Sequence, residues 1–400
     1  MGTLRYIAIA VLLISFATFV AFFGRLPVLR KTPIGALHRV IWIHIPRGFR
    51  TFDEWATNGR LTRSIGNVAH TLWYDKHPVV VIFFLILLSG SQFLFLPDAW
   101  PLLTSSHKIL SILLIFGPYF FLYASVYTDP GTITPENHAR YMSLYPYDYT
   151  IFYPGETCRT CHFQKPARSK HCSICKRCVA KLDHHCIFIN NCVGYENQHW
   201  FLLLLFSTAV LTTYATYLGI TLLSSQVLEV IPAWTLSGKG MTWMQYLNVW
   251  GWALQNKIGM GCVTLLCLFC SPLVWGLLGY HIYLIWAGTT TNESLKWSDW
   301  AAEMAEGFVF KRKLARARGV CEKVGEPAWT SWPVESEQIV MRTEDGFPPS
   351  TNGNPGVGEW ERVWRLADVE NLYDLGFRDN LADVFLSRVA SGGLEGVQMN

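Results

Sequence analysis

Residues 158–192 read CRTCHFQKPARSKHCSICKRCVAKLDHHCIFINNC, and they hold seven of the chain's eleven cysteines. Cys-x-x-Cys pairs let one turn grip one ion. A structural zinc takes four thiolate or imidazole ligands in a closed tetrahedron. The candidate ligands are Cys158, Cys161, His171, Cys172, Cys175, Cys178, His185 and Cys192, enough for two ions. The stretch has no long apolar run, so two ions would supply much of its folding energy. Cys158 to His162 also matches the haem-attachment pattern Cys-x-x-Cys-His. The five further cysteines close behind it argue for zinc instead.

Six of the seven cysteines are then ligands and one is spare. The candidate is Cys186, within Asp183-His184-His185-Cys186. If His185 binds metal, His184 stays free beside that thiol. A thiol is a poor nucleophile until it is deprotonated. A neighbouring imidazole can take the proton, and a carboxylate can hold that imidazole in the right tautomer. Asp183 is the carboxylate at hand. A purely structural zinc module with Cys186 as a spare ligand is the bland alternative.

Outward from this stretch the chain becomes apolar. Hydrophobic residues make up 51% and charged ones only 16%, against roughly 25% charged in soluble domains. Five stretches approach the roughly 20 helical residues needed to cross a bilayer: Leu4–Phe23, Val79–Leu96, Ile109–Tyr127, Phe201–Leu223 and Cys262–Trp286. The first is expected to be an uncleaved anchor, since it lacks a small-x-small signal-peptidase exit. Cys262, Cys267 and Cys270 in the last are expected to pack between helices. Apart from Arg5 at the edge of the first, the spans carry no Asp, Glu, Lys or Arg, and His281 is their one imidazole, which argues against a channel or transporter.

Basic residues mark the cytosolic side. Of the 33 lysines and arginines, 29 fall in three segments: Arg25 to Lys76, Thr128 to Trp200, and the tail after Trp286. The N-terminus is therefore expected in the lumen, and the cysteine-rich loop in the cytosol, where disulfides are disfavoured. The sequon Asn292-Glu293-Ser294 would then stay unmodified. The expected fold is an all-α polytopic membrane protein of about five transmembrane helices, with a small two-zinc cysteine-rich domain between spans three and four. Its parts are an anchor (1–25), a basic cytosolic loop with interfacial helices (26–77), spans two and three (78–127), the cysteine-rich domain (128–200), spans four and five around a lumenal loop at 224–261 (201–286), and a cytosolic tail (287–400). Trp300–Arg318 reads as an amphipathic helix or a solvated charged face, and Gly325–Gly358 as a disordered linker. No internal repeat is read.

The spaced run from Cys158 through Asp183-His184-His185-Cys186 to Cys192, Asn197 and Phe201 resembles the cysteine-rich domain of the DHHC protein palmitoyltransferases. Asp129-Pro130-Gly131, Thr290-Thr291-Asn292-Glu293 and the segment 371–386 resemble the family's other motifs, with Leu372 where proline is common. The added N-terminal span resembles the fungal branch of the endoplasmic reticulum that acylates SNAREs. The resemblance implies an acyltransferase in which Cys186 accepts the acyl group, His184 is its base and Asp183 the orienter. It implies two interleaved structural zinc sites: Cys158, Cys161, His171 and Cys178, then Cys172, Cys175, His185 and Cys192. Thr291 and Asn380 would brace the active site. Palmitoyl-CoA is the implied donor, and membrane proteins with juxtamembrane cysteines the acceptors. The phosphates of CoA would meet Lys165, Arg168 and Lys170, with Lys176, Arg177 and Lys181 as further candidates. A membrane-anchored zinc adaptor or ubiquitin-ligase-like module is the rival reading.

Overall fold

A computed structural model describes residue 20 and residues 31–314, 325–351 and 356–386. Apart from Val20, the expected N-terminal span lies outside the described residues, as does Cys321. The chain divides into two compact units, Met1–Asp75 and Lys76–Asn400.

In the first unit a short helix, α1 (Pro33–Arg39), runs through a π turn into α2 (Ile45–Thr57), and α3 (Arg60–Tyr74) follows. Asn58 and Gly59 turn the chain with φ of 55° and 71°, the left-handed region that asparagine and glycine tolerate best. The buried Asp53 side chain accepts from the Thr62 amide at 2.7 Å and from the Thr57 hydroxyl. It thereby satisfies a donor at the start of α3 that the helix itself leaves open.

Four helices in the second unit are long and apolar enough to cross a membrane: Val79–Leu102, Ser105–Tyr127, Gln198–Val230 and Ile258–Trp286. They contain the four later expected spans and extend most of them. In a bilayer the helix is favoured because it satisfies every backbone donor within the segment. We number their regular helical parts α4 (Val79–Ala99), α5 (Ser105–Tyr127), α7 (Gln198–Val230) and α9 (Ile258–Trp286). Small and hydroxylated residues bring α7 and α9 together. A Cβ on Gly219 would run into the Thr264 side chain, and Thr213 bonds Ser271 at 2.8 Å and the Trp275 indole at 2.9 Å. Such contacts hold helices together where lipid gives no hydrophobic drive. His107 and His199 also fall on these longer helices, so His281 is not their one imidazole.

Between α5 and α7 come a short helix, α6 (His138–Met142), and two antiparallel hairpins: β1 (Lys170–Cys172) with β2 (Arg177–Val179), and β3 (His184–Cys186) with β4 (Asn191–Val193). Asp129 shapes the Asp-Pro-Gly turn after α5: its carboxylate accepts from the Gly131 and Thr132 amides at 2.8 and 2.6 Å. A further helix, α8 (Trp243–Asn256), lies between α7 and α9.

The tail departs from expectation in two places. After α10 (Thr291–Ala305) the basic run forms a strand, β5 (Val309–Lys313), rather than continuing a helix. The expected linker supplies β6 (Gln338–Arg342), and β7 (Val357–Arg362) completes a sheet of order β6-β5-β7. Val309, Phe310 and Arg312 are buried, so the sheet pairs a sequence whose charges had suggested a solvated face. α11 (Phe377–Phe385) ends the described tail.

Candidate active site

The two hairpins carry two clusters of metal-ligand type. Cys158, Cys161, His171 and Cys178 converge, as do Cys172, Cys175, His185 and Cys192, with the candidate ligand atoms of each set within 4.8 Å of one another. His171 Nδ1 lies 3.5, 3.4 and 3.8 Å from the sulfurs of Cys158, Cys161 and Cys178. His185 Nδ1 lies 3.7, 3.4 and 3.7 Å from those of Cys172, Cys175 and Cys192. Zinc bonds of about 2.0–2.3 Å at tetrahedral angles require ligand separations of about 3.5–3.8 Å. The donor sets therefore fit zinc, which would be structural here because four protein ligands close each site.

Both sets share one spacing, Cys-x2-Cys-x9-His-x6-Cys, offset by fourteen residues. The geometry repeats with it: His171 pairs Cys178 and His185 pairs Cys192 across the hairpins. The Cys161 and Cys175 amides each approach the preceding sulfur at 3.4 Å. This corrects the reading that the chain has no internal repeat, and it explains the spare thiol. The last residue of β1, Cys172, serves the second cluster. Its counterpart at the end of β3, Cys186, has no following cluster to serve.

Cys186 is 8% exposed and packs among Leu122, Ile189, Phe201 and Leu202. It lies two residues from His184 on the same strand, so both side chains take the same face. The His184 ring bonds Asp183 through Nδ1 at 2.5 Å. Burial disfavours the imidazolium, but the Asp183 bond and the nearby Asp183 and Cys186 groups outweigh it and push the His184 pKa up to about 10. Burial likewise raises the Asp183 carboxyl, and the His184 bond and charge, with the Thr291 amide, more than reverse this, leaving it below the usual range. Thr291 donates to Asp183 twice, from its amide at 2.7 Å and its hydroxyl at 2.8 Å. Asp183 is thus held from α10 and in turn holds the ring.

Asn380 acts at one remove. Its amide donates to the Ile285 carbonyl at 2.9 Å and to Asp374 at 2.8 Å, and its oxygen accepts from the Leu375 amide at 3.0 Å. It ties the tail to the end of α9 rather than touching the Asp183 group.

One neighbour was not anticipated. His281, buried in α9, stacks on His184 with ring centroids 5.8 Å apart and planes at 30°. Phe201 presents its edge to both rings, at 5.4 and 5.1 Å. The only sequence signal for His281 was an imidazole inside an apolar span.

The cations expected to meet phosphate are placed differently from one another. Lys165 pairs with Glu156 at 2.5 Å near the surface, and the exposed Lys170 bonds Asn292 at 2.6 Å. Arg168 lies inside. It grips Glu293 through two bonds of 2.8 and 2.7 Å, donates to the Gly288 carbonyl at 3.1 Å, and packs under Tyr373 at 4.5 Å. Lys181 is also buried, bonded to Asp383 at 2.6 Å. The structure places these two as buried, ion-paired interior ties rather than surface cations, which leaves them poorly placed to meet a ligand in water. They join the cysteine-rich domain to Glu293, two residues from Thr291, and to α11.

Arg168→Met should therefore destabilise the second unit by about 3–5 kcal/mol, since it leaves Glu293 charged and unpaired in the interior. Lys165→Met removes a solvent-screened pair and should cost no more than about 1 kcal/mol. Thermal unfolding in detergent compares them; equal shifts would contradict the assignment.

A cavity of about 340 Å³ lies among α4, α5, α7 and α9, walled by Phe84, Leu88, Phe95, Ile115, Leu211 and Val263. Phe188, two residues beyond Cys186, closes part of it.

A family model described as DHHC palmitoyltransferase matches residues 151–298. Palmitoyltransferase SWF1 of Neurospora crassa is 57% identical, over 96% of this chain and 93% of its own. Palmitoyltransferase swf1 of Emericella nidulans is 44% identical, over 96% and 97%. The protein of that name from Schizosaccharomyces pombe is 36% identical, over 94% of each. The likeness thus runs well beyond the cysteine-rich domain into both flanks, and the chain belongs to the DHHC palmitoyltransferase family, on its fungal Swf1 branch.

Proposed function

We propose that this chain is a membrane protein S-palmitoyltransferase, working through an acyl-Cys186 intermediate. The observation that carries the reading is a thiol outside both metal clusters, on the same strand face as an imidazole that a doubly braced carboxylate orients. The acyl chain of palmitoyl-CoA occupies the apolar cavity, whose size falls within the roughly 300–1,000 Å³ of ligand sites. His184 takes the proton of Cys186 and the thiolate attacks the thioester carbonyl. The C–S bond to CoA breaks, and His184 returns the proton to the departing sulfur. A substrate cysteine then gives its proton to His184, attacks the acyl-enzyme and frees Cys186. One thioester is exchanged for another, so no ATP or redox partner is consumed. Zinc holds the hairpins in shape. His281 and Phe201 fix the plane of the His184 ring.

Lys165 and Lys170 are the cations we assign to the CoA phosphates. The acceptors are membrane proteins with cysteines near the bilayer, SNAREs among them, and the site is the endoplasmic reticulum with the cysteine-rich domain and tail in the cytosol. The basic-residue asymmetry supports the orientation, and the resemblance to the fungal branch motivates the acceptors and the compartment.

The test is incubation of the purified protein with an alkyne-tagged palmitoyl-CoA, then hydroxylamine. Label that hydroxylamine strips is expected. His184→Ala should lower the labelling rate by about 10²–10⁴-fold, the usual worth of a positioned base. No label at all would favour the zinc-adaptor reading.

A further inference from the structure

We infer that the helical pair α2–α3 of the first unit is a lipid-binding element, lying on an anionic membrane surface with its apolar faces in the headgroup–acyl boundary. On α2 the residues Ile45, Phe49 and Phe52 recur at four- and three-residue intervals and are 58, 41 and 62% exposed. On α3, Leu61, Ile65 and Val68 recur at the same intervals and are 48, 52 and 57% exposed. That spacing puts each trio on one face of its helix. Arg47 and Arg50 lie on the opposite side of α2, and Arg63 away from the stripe of α3. An apolar stripe against an arginine-bearing face is the pattern of helices that lie in the interface plane. Monomeric surfaces in water seldom leave such contiguous stripes bare.

Three observations select lipid as the occupant. The chain leaves α3 at Tyr74 and begins a membrane-length helix at Val79. The link reaches no more than roughly 18 Å even when fully extended, so the end of the pair stays near the bilayer surface. Arg47, Arg50, Arg60 and Arg63 outnumber Asp53 and Glu54 along the pair, and Asp53 is buried in the turn. The excess charge suits anionic headgroups. Trp42 and Trp55, 54 and 83% exposed, are the aromatic type enriched at membrane–water boundaries.

The test uses the full chain in nanodiscs of phosphatidylcholine, with and without phosphatidylserine. The photo-crosslinking residue benzoylphenylalanine replaces Phe52 on the apolar face or Glu54 on the other. A second pair, at Ile65 and Arg63, repeats the comparison on α3 should either α2 variant misfold. Lipid adducts from the apolar positions should exceed those from the polar positions at least about tenfold, as expected for a side chain buried in the acyl region. They should rise several-fold when phosphatidylserine is present. Equal lipid yields from both faces would overturn the inference, as would adducts from Phe52 to a protein, whether another copy or a partner. Adducts indifferent to phosphatidylserine would overturn its anionic component.

Discussion

Cys186→Ala is expected to abolish acyl labelling and transfer, a loss of about 10³–10⁶-fold of the kind seen when a covalent nucleophile is removed. The same variant should still insert in membranes and bind two zinc ions. A methyl group has no lone pair to attack a thioester, yet it fits where the buried thiol packed against Leu122, Ile189 and Phe201. The sulfur belongs to neither cluster, so its removal takes no ligand from a metal. Cys186→Ser should be nearly as inactive, because the hydroxyl's far higher pKa leaves His184 too weak a base for it. A Cys186→Ala protein that kept its transfer activity would refute the mechanism; one that lost zinc would show the cluster assignment to be wrong.

Cys175→Ala should do the reverse: remove metal first and activity as a consequence. Cys175 is one of four ligands of the second cluster, at 3.4 Å from His185 and 3.6 Å from Cys192. Apparent binding energies of structural zinc, about 10–16 kcal/mol, rival or exceed the whole stability of a small domain. The β3–β4 hairpin is only three residues long on each strand and has little else to hold it. Without His185 anchored, His184 and Cys186 on either side of it lose their common frame. Metal analysis should find no more than one zinc per chain, with aggregation in detergent. Two zinc ions in a soluble Cys175→Ala protein would contradict the ligand set. The two variants together separate the thiol that reacts from the thiols that shape.

The parts of this fold visible in the sequence are those fixed by local pattern. Four apolar runs were long enough that only membrane-crossing helices were plausible. Ligand spacing called for two metal clusters, the family resemblance divided the ligands between them, and the imidazole beside Cys186 marked that thiol as the proposed nucleophile. Yet the fourteen-residue repeat went unread, because the two sets interleave and Cys172 interrupts the first with the start of the second. Features that depend on distant partners were not legible. Arg168 resembled any other cation in a basic loop; its counter-charge, Glu293, is 125 residues away. His281 reaches His184 only once α9 packs beside the hairpin. In the tail, the clustered Lys311, Arg312 and Lys313 suggested an exposed helix face. The residues that instead make them a strand, at 338–342 and 357–362, lie far along the chain in segments rich in glycine and charge.

The central claim is most directly tested by mapping the acyl group on the wild-type chain, after brief exposure to palmitoyl-CoA, by mass spectrometry of its peptides alongside metal analysis of the same sample. The account predicts a hydroxylamine-labile acyl group on Cys186, with two zinc ions still bound. An acyl group found instead on Cys267, Cys270 or one of the zinc-ligand thiols, with Cys186 unmodified, would contradict it.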